Sequence, residues 1–471
     1  MKFKHFFITA ALASFVFVGC DNDDDDDQPI IGAIEVSTTT DTYDEGAGVV
    51  DIDFGTALAN GTDVTITYEV SGSATSGVDY EALSGSVVLP AGDLSVSQSL
   101  TLIDDDEVEP SEEIIVTIKT ITGGEDLVIG LKDSVTLTIT DNDSYPYENG
   151  IIVTHEGNFF QGNASVSFIS NDYTTVQNEV FKTVNDVDAW ADVIQSMAFN
   201  EEFGYIVVNN SQKVEVVNRY TFESVATIDM ELSNPRYMVF ANGKGYVTNW
   251  GDGSNPDDDY VAVIDLEENT VTAKIPVAEG PEQLIVKENT IYVAMQGGYN
   301  QNNIVTVIDA TTNMVTTTVT VGDRPNSLQV DAEGNLWVLS GGNPAWTGNE
   351  TLAQLDKINT ADNTVAGTFD FAAAEHPGAL VVDGSSLYYF MSGSVYGMET
   401  SATALPETAK ITDLNFYDMT VNDGKLYGVD AKDYTSNGSL EVYDLNDNSL
   451  LVSKEVSIIP AGIYFNGTAE R

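Results

Sequence analysis

A single cysteine, Cys20, in 471 residues leaves no disulfide framework and no Cys-rich metal site. Basic side chains are scarce too: 18 Lys and Arg stand against 74 Asp and Glu, a formal charge of −56. Phosphates and anionic headgroups are neutralised by Lys and Arg, so this balance argues against nucleic acid or acidic lipid as a partner. Histidine occurs three times, and beyond the first residues only His155 and His376 remain. Each is alone, and a lone histidine in strand-rich sequence is usually a packed or surface residue. Gly-x-Ser-x-Gly elbows, His-Glu-x-x-His pairs and phosphate loops are missing as well. The expectation is a binding protein rather than an enzyme.

Long apolar runs are also lacking. Phe6 to Val18 is the longest, too short to span a bilayer, and it follows the basic start Met1-Lys-Phe-Lys4. That order reads as a signal peptide over 1–19. Gly19-Cys20 at its end resembles a lipobox, which implies Cys20 as the diacylated first residue. Asp21 to Asp27 is a run of like charge, a solvated tether over 20–32. Behind a lipidated cysteine it resembles the acidic signal of outer-leaflet lipoproteins. The expected location is the outer membrane, lipid-anchored and facing the exterior.

What the chain has in abundance is repetition. Pro235-Arg-Tyr-Met opens a run ending in Tyr246-Val-Thr-Asn249, then Tyr260-Val-Ala-Val-Ile-Asp-Leu266 and Thr270-Val-Thr-Ala-Lys-Ile-Pro-Val277 follow. Pro281 and Pro325 restart the pattern, 46 and then 44 residues on. Four β-branched or aromatic runs per repeat, cut by Asn, Gly and Asp, read as four strands, and that period is a propeller blade. Further openings stand at Ile194, Pro377 and Tyr417. Gly150-Ile-Ile-Val-Thr-His155 looks like a second strand without a first, and Pro460-Ala-Gly-Ile-Tyr-Phe465 like a first strand without a blade. Pairing those ends closes a ring of seven blades over 150–471.

The wording of these repeats, with Tyr246-Val-Thr-Asn249 and Val261-Ala-Val-Ile-Asp265, resembles the YVTN or YncE-like propellers. Glu156-Gly-Asn-Phe-Phe160, Gln195-Ser-Met197 and Pro235-Arg-Tyr-Met238 look like a subset on surface lipoproteins, one of which captures vitamin B12 above a TonB-dependent transporter. The resemblance implies a surface lipoprotein that binds a ligand, a corrinoid being the sharpest candidate, for handover to an outer-membrane transporter. Adhesion or scaffolding is the rival class, and a propeller hydrolase or lyase such as a lactonase a third.

Residues 33–143 form a separate unit. Val49-Val-Asp-Ile-Asp-Phe54, Val64-Thr-Ile-Thr-Tyr68 and Val135-Thr-Leu-Thr-Ile139 alternate as half-buried strands do, so the whole chain is all-β with a β-sandwich first. Gly72-Ser-Ala-Thr-Ser-Gly-Val-Asp-Tyr80, Ile103-Asp-Asp-Asp106, Glu109-Pro-Ser-Glu112 and Thr140-Asp-Asn-Asp143 resemble the Calx-β motif. The resemblance implies calcium at Glu45, Asp79, Asp104, Asp105, Glu109, Glu112, Asp141 and Asp143. Asn142 stands where an aspartate is common. Calcium takes six to eight hard oxygens, and gathered carboxylates repel one another without a cation. Residues 144–149 are a short linker, and the sandwich is expected to act as a spacer.

In a propeller, the loops leading into each first strand open on the same face as those between strands two and three. Arg236, Glu282, Asn326 and Gly378, just after the prolines, are therefore expected around the mouth of the channel. The second-to-third-strand loops carry Phe159, Phe160, Trp250, Tyr299, Trp346 and Tyr434. Flat rings among Gly and Asn suit a binding surface, whereas strand aromatics usually serve the core.

Overall fold

The computed structural model describes residues 31–124, 126–253 and 255–469. Cys20 and the Asp21–Asp27 run lie outside them. Among the described residues no helix is long and apolar enough to cross a membrane. The chain divides into two compact units at Asp143/Ser144.

The first unit is a two-sheet sandwich. One sheet runs in the order Ser95–Thr101, Val49–Thr56, Gly32–Thr38, Leu127–Ile129. The other runs Thr42–Asp44, Ser134–Thr140, Glu112–Thr122, Val64–Gly72, Ser86–Leu89. Strict alternation decides what is buried: Val50, Ile52 and Phe54 point inward while Asp51 and Asp53 accept from Ser99 and Ser97 outside. Phe54 stacks on Tyr68 across the core, centroids 5.3 Å apart.

The second unit is seven antiparallel sheets, as the repeats predict. Blade 1 joins Gly150–His155, Ser165–Ser170 and Val176–Gln177 to the last strand, Pro460–Asn466. Ile152 faces Tyr464 in that closing pair. Blades 2 to 5 open at Ile194, Pro235, Pro281 and Pro325, each with four strands in sequence order. Blade 6, from Gly378, is shorter: after its third strand Val395 bridges Ile411 where a fourth would lie. Blade 7 runs from Asp418 to Ile458.

Each junction between neighbouring blades has its own apolar cluster. Blade 1 supplies Ile152 and Val166 to the cluster shared with blade 2, and Ile151 and Val153 to the one shared with blade 7. The ring is thus sealed by pairing the first and last strands of this unit in one blade. Second strands are sandwiched on both faces, which is why Tyr246-Val-Thr-Asn249 lacks alternation. The hairpin after Ala241 turns on Asn242-Gly243, both with positive φ (50° and 71°), where Asn and Gly are the residues of least cost.

Candidate functional site

Strand register sets which loops share a face. In blade 3, Pro235 pairs with Asn249, Asn249 with Tyr260, and Tyr260 with Pro276. The entry loop and the loop between strands two and three therefore leave from the same end of the blade.

On that end the aromatics of four blades stand out. Phe160, Tyr299 and Trp346 are each about three-quarters exposed (76%, 73% and 77%), and Phe159 and Tyr434 are exposed as well. They are held in place. Phe159 meets Phe160 edge-on at 4.5 Å, and the Phe160 N–H donates to Asp192. Asn158 Nδ2 donates to the Tyr434 carbonyl at 2.9 Å, linking the loops of blades 1 and 7. Tyr434 lies against Tyr417, Tyr299 against Trp250, and the Arg324 guanidinium 6.0 Å from the Trp346 ring.

Trp250 differs from the other ring residues. It is half-buried rather than a loop tip: its Nε1 donates to the Pro281 carbonyl at 3.0 Å, and Arg236 covers its face at 4.2 Å. Arg236 is in turn paired with Glu282. Burial works against the guanidinium charge, but the Glu282 carboxylate outweighs it and holds Arg236 above its ordinary pKa. Asn326 is also committed, donating from Nδ2 to the Pro377 carbonyl at 3.0 Å and accepting from Ser327. Arg236, Glu282 and Asn326 thus lace one blade to the next around the channel, and Gly378, without a side chain, does not.

Other channel residues escape a reading of the sequence. Glu156 accepts from Tyr417 Oη at 3.1 Å, and burial raises its pKa, with Tyr417 and Arg236 opposing. Asp418, on the innermost strand of blade 7, is pushed up to about 7, chiefly by burial, with Glu156 adding to it. Burial likewise raises the Tyr237 and Tyr464 phenols, which also feel the Asp418 charge. The available signal was positional: Glu156 follows its second strand as Trp250 does.

The two histidines have structural partners. His155 is fully buried, its Nε2 2.8 Å from Ser167 Oγ, and burial lowers its pKa to about 3. His376 Nδ1 meets the Gly341 carbonyl at 2.7 Å.

In the sandwich, six of the eight expected carboxylates form two trios. Glu45, Asp141 and Asp143 bring oxygens within 4.8 Å of one another, as do Asp79, Glu109 and Glu112. The Glu109 N–H donates to Asp141 at 2.8 Å and ties the trios together. Asp104 and Asp105 stand beside them, Asp105 accepting from the Glu107 N–H. The amide of Asn142 donates to Asp104 Oδ1 at 2.8 Å, so it damps the charge that an aspartate there would add. Glu45 and Glu112 are each pushed up to about 7, first by burial and then by neighbouring carboxylates. Such crowded hard oxygens fit a divalent cation of calcium's kind.

A family described as a domain of unknown function, DUF5074, matches residues 149–431, and the Calx-beta domain matches residues 24–143. Among curated proteins nothing matches. Among solved structures, a quinonprotein alcohol dehydrogenase-like protein from Bacteroides thetaiotaomicron shares 12% identity at TM-score 0.51, covering 92% of this chain and 99% of its own. A functionally unknown protein from Desulfotomaculum acetoxidans shares 13% at TM-score 0.52, over 68% of this chain and 99% of its own. At such identities the likeness is one of fold.

Proposed function

The chain belongs to the DUF5074 family, with a Calx-beta domain ahead of that region, and from this premise we propose a capture protein rather than an enzyme. The observation that carries the reading is the crown of exposed rings, from Phe159 and Phe160 round to Tyr434, on the face where the channel opens. Solvent-exposed aromatics held by side-chain and backbone contacts are the usual anchors of a binding surface. Spread over four blades, they suit a ligand gripped across its faces and too wide to be enclosed. A corrinoid is such a ligand, and handover to a TonB-dependent outer-membrane transporter is the role that goes with it. Adhesion is the second reading, favoured by the Calx-beta domain.

Two features complete the proposal. Cys20 is the lipid anchor and Asp21–Asp27 the surface tether. Calcium, held by the two carboxylate trios, stiffens the sandwich.

Calorimetry with a cobalamin, and with haem as a second planar ligand, tests the capture reading. Saturable binding of the cobalamin that weakens in Trp346→Ala supports it. Binding of neither compound overturns the planar-ligand reading and turns the search to macromolecular partners.

A further inference from the structure

Below the crown, the channel wall is uneven. At the start of each innermost strand, blade 3 sets Arg236 and Tyr237, blade 4 Glu282 and Gln283, and blade 7 Tyr417 and Asp418. Blade 6 has only Gly378 and Ala379 there, and the closing strand Ala461 and Gly462. Those two strands flank the innermost strand of blade 7 on either side. Asp418 therefore has small residues on the blade 6 side, whereas at Gly462 the Tyr464 phenol and Thr154 fill the space a Cβ would take. A Cβ added to Gly378 would meet nothing within 4 Å, so the wall is open beside it.

Charge in this recess is unbalanced. The Arg236 guanidinium is spent on Glu282. Glu156 and Asp418 have no ion pair of that kind: among the described residues no Lys, Arg or His nitrogen lies within 4.0 Å of either carboxylate, and Arg236 acts on Glu156 only from farther off. Burial holds both carboxyls above their ordinary pKa, and like charge adds to it, Glu282 at Glu156 and Glu156 at Asp418. Both residues are half-buried, and a carboxylate partly withdrawn from water without a paired cation carries a cost that a positive ligand would relieve.

Two observations choose the kind of cation. Among the described residues, acidic groups gathered in threes within reach of one metal ion occur in the sandwich and not in the channel. Around the recess stand the rings of Tyr417, Tyr237 and Tyr464, and such faces attract diffuse positive charge. We propose that the channel recess receives the ammonium group of an organic amine, paired with Asp418 and Glu156 and faced by tyrosine rings. The recess touches the aromatic crown only where Tyr417 lies against Tyr434, and the proposal does not depend on what the crown holds.

Phenethylamine and its neutral counterpart phenethyl alcohol test this by calorimetry on the full chain, at about 0.15 M salt to screen the general attraction of an acidic protein. The amine should bind saturably and the alcohol should not. Asp418→Asn should weaken the amine at least about tenfold, the scale of losing one buried ionic partner. Gly378→Leu, which fills the opening and spares the carboxylates, should weaken it similarly. Trp346→Ala in the crown should leave it unchanged, whatever that variant does to a cobalamin. Equal binding of amine and alcohol, absence of amine binding, or full affinity in both Asp418→Asn and Gly378→Leu would each overturn the proposal.

Discussion

The Arg236 guanidinium meets the Glu282 carboxylate along two parallel hydrogen bonds, Nε to Oε2 at 3.0 Å and Nη2 to Oε1 at 2.7 Å. Both residues directly follow the first proline of their blades, so the pair is a bolt between equivalent points of blades 3 and 4. Trp250 caps it, with the guanidinium on its ring.

Removing one half strands the other. Glu282→Ala should destabilise the propeller by about 3–5 kcal/mol, because Arg236 would keep its buried charge without a partner. Replacing both residues by Met should recover most of the loss. Denaturant unfolding of the two single variants and the double one measures this, and additive losses in the double variant would show that the pair is not coupled.

Ring closure makes a second demand. Asn466 on the closing strand donates from Nδ2 to the Tyr147 carbonyl at 2.7 Å and the Arg219 carbonyl at 2.8 Å, while its Oδ1 accepts from Arg219 Nε. Asn466→Ala leaves these buried groups unpaired, and each such loss typically costs about 1–3 kcal/mol. The propeller should unfold at lower denaturant concentration while the sandwich keeps its own transition. A Asn466→Asp variant keeps the size but loses the donor, and should fall between the two only if the acceptor half of the network matters.

Much of this architecture was legible because a propeller writes its period into the chain. Pro235, Pro281 and Pro325 mark blade starts, and the orphan strands at Gly150 and Pro460 announce their own pairing. The aromatic crown was legible for a related reason: Phe160, Tyr299 and Trp346 sit in polar loops with no core to enter. Trp250 looked the same in sequence but has partners in the next blade, and contacts across blades leave no local pattern. Asp418 and Glu156 were hidden for that reason too, since their proximity depends on strands far apart in the chain. The trios of the sandwich were anticipated in membership, whereas the role of the Asn142 amide came only with its geometry.

If Cys20 carries the lipid, Cys20→Ala should release the protein from membranes, since no second thiol exists. Shortening Asp23 to Asp27 should leave it attached but shielded from protease added to intact cells. Fractionation checks the first outcome and surface proteolysis the second, and unchanged membrane association of Cys20→Ala would remove the anchor.

Calcium should raise the melting temperature of the sandwich, because a ligand that binds only the folded state stabilises it. Acidity alters the size of that rise in a defined direction. Glu45 and Glu112 titrate near 7 in the folded protein against an ordinary value of 4.5, so folding binds protons between those limits. In chelator the sandwich should therefore be most stable near pH 4.5 and lose stability as pH rises toward 7. Calcium competes with those protons, so its stabilisation should be largest at pH 7 and above and fade toward pH 5. Scanning calorimetry across this range, with Glu109→Ala and Asp141→Ala as controls, reads both trends. Equal melting in calcium and in chelator at pH 7.5 would leave the trios without a metal.

The last prediction separates two tryptophans that the sequence does not distinguish. Trp346 stands in the short turn Ala345–Thr347 with its ring largely in solvent, near Arg324. Trp250 closes over the Arg236–Glu282 pair and bonds to blade 4 through Pro281. Truncating an exposed anchor should weaken ligand capture by about 2 kcal/mol, roughly thirtyfold, without touching the fold. Trp346→Ala should behave in this way, with an unchanged melting temperature. Trp250→Ala should lose affinity and stability together, because it removes the cation–π cover and a hydrogen bond between blades and lets water reach the ion pair. Parallel calorimetry and thermal melting distinguish the two. Should Trp250→Ala melt like wild type, the tryptophan is a surface anchor like the rest and the bolt beneath it stands without a cap.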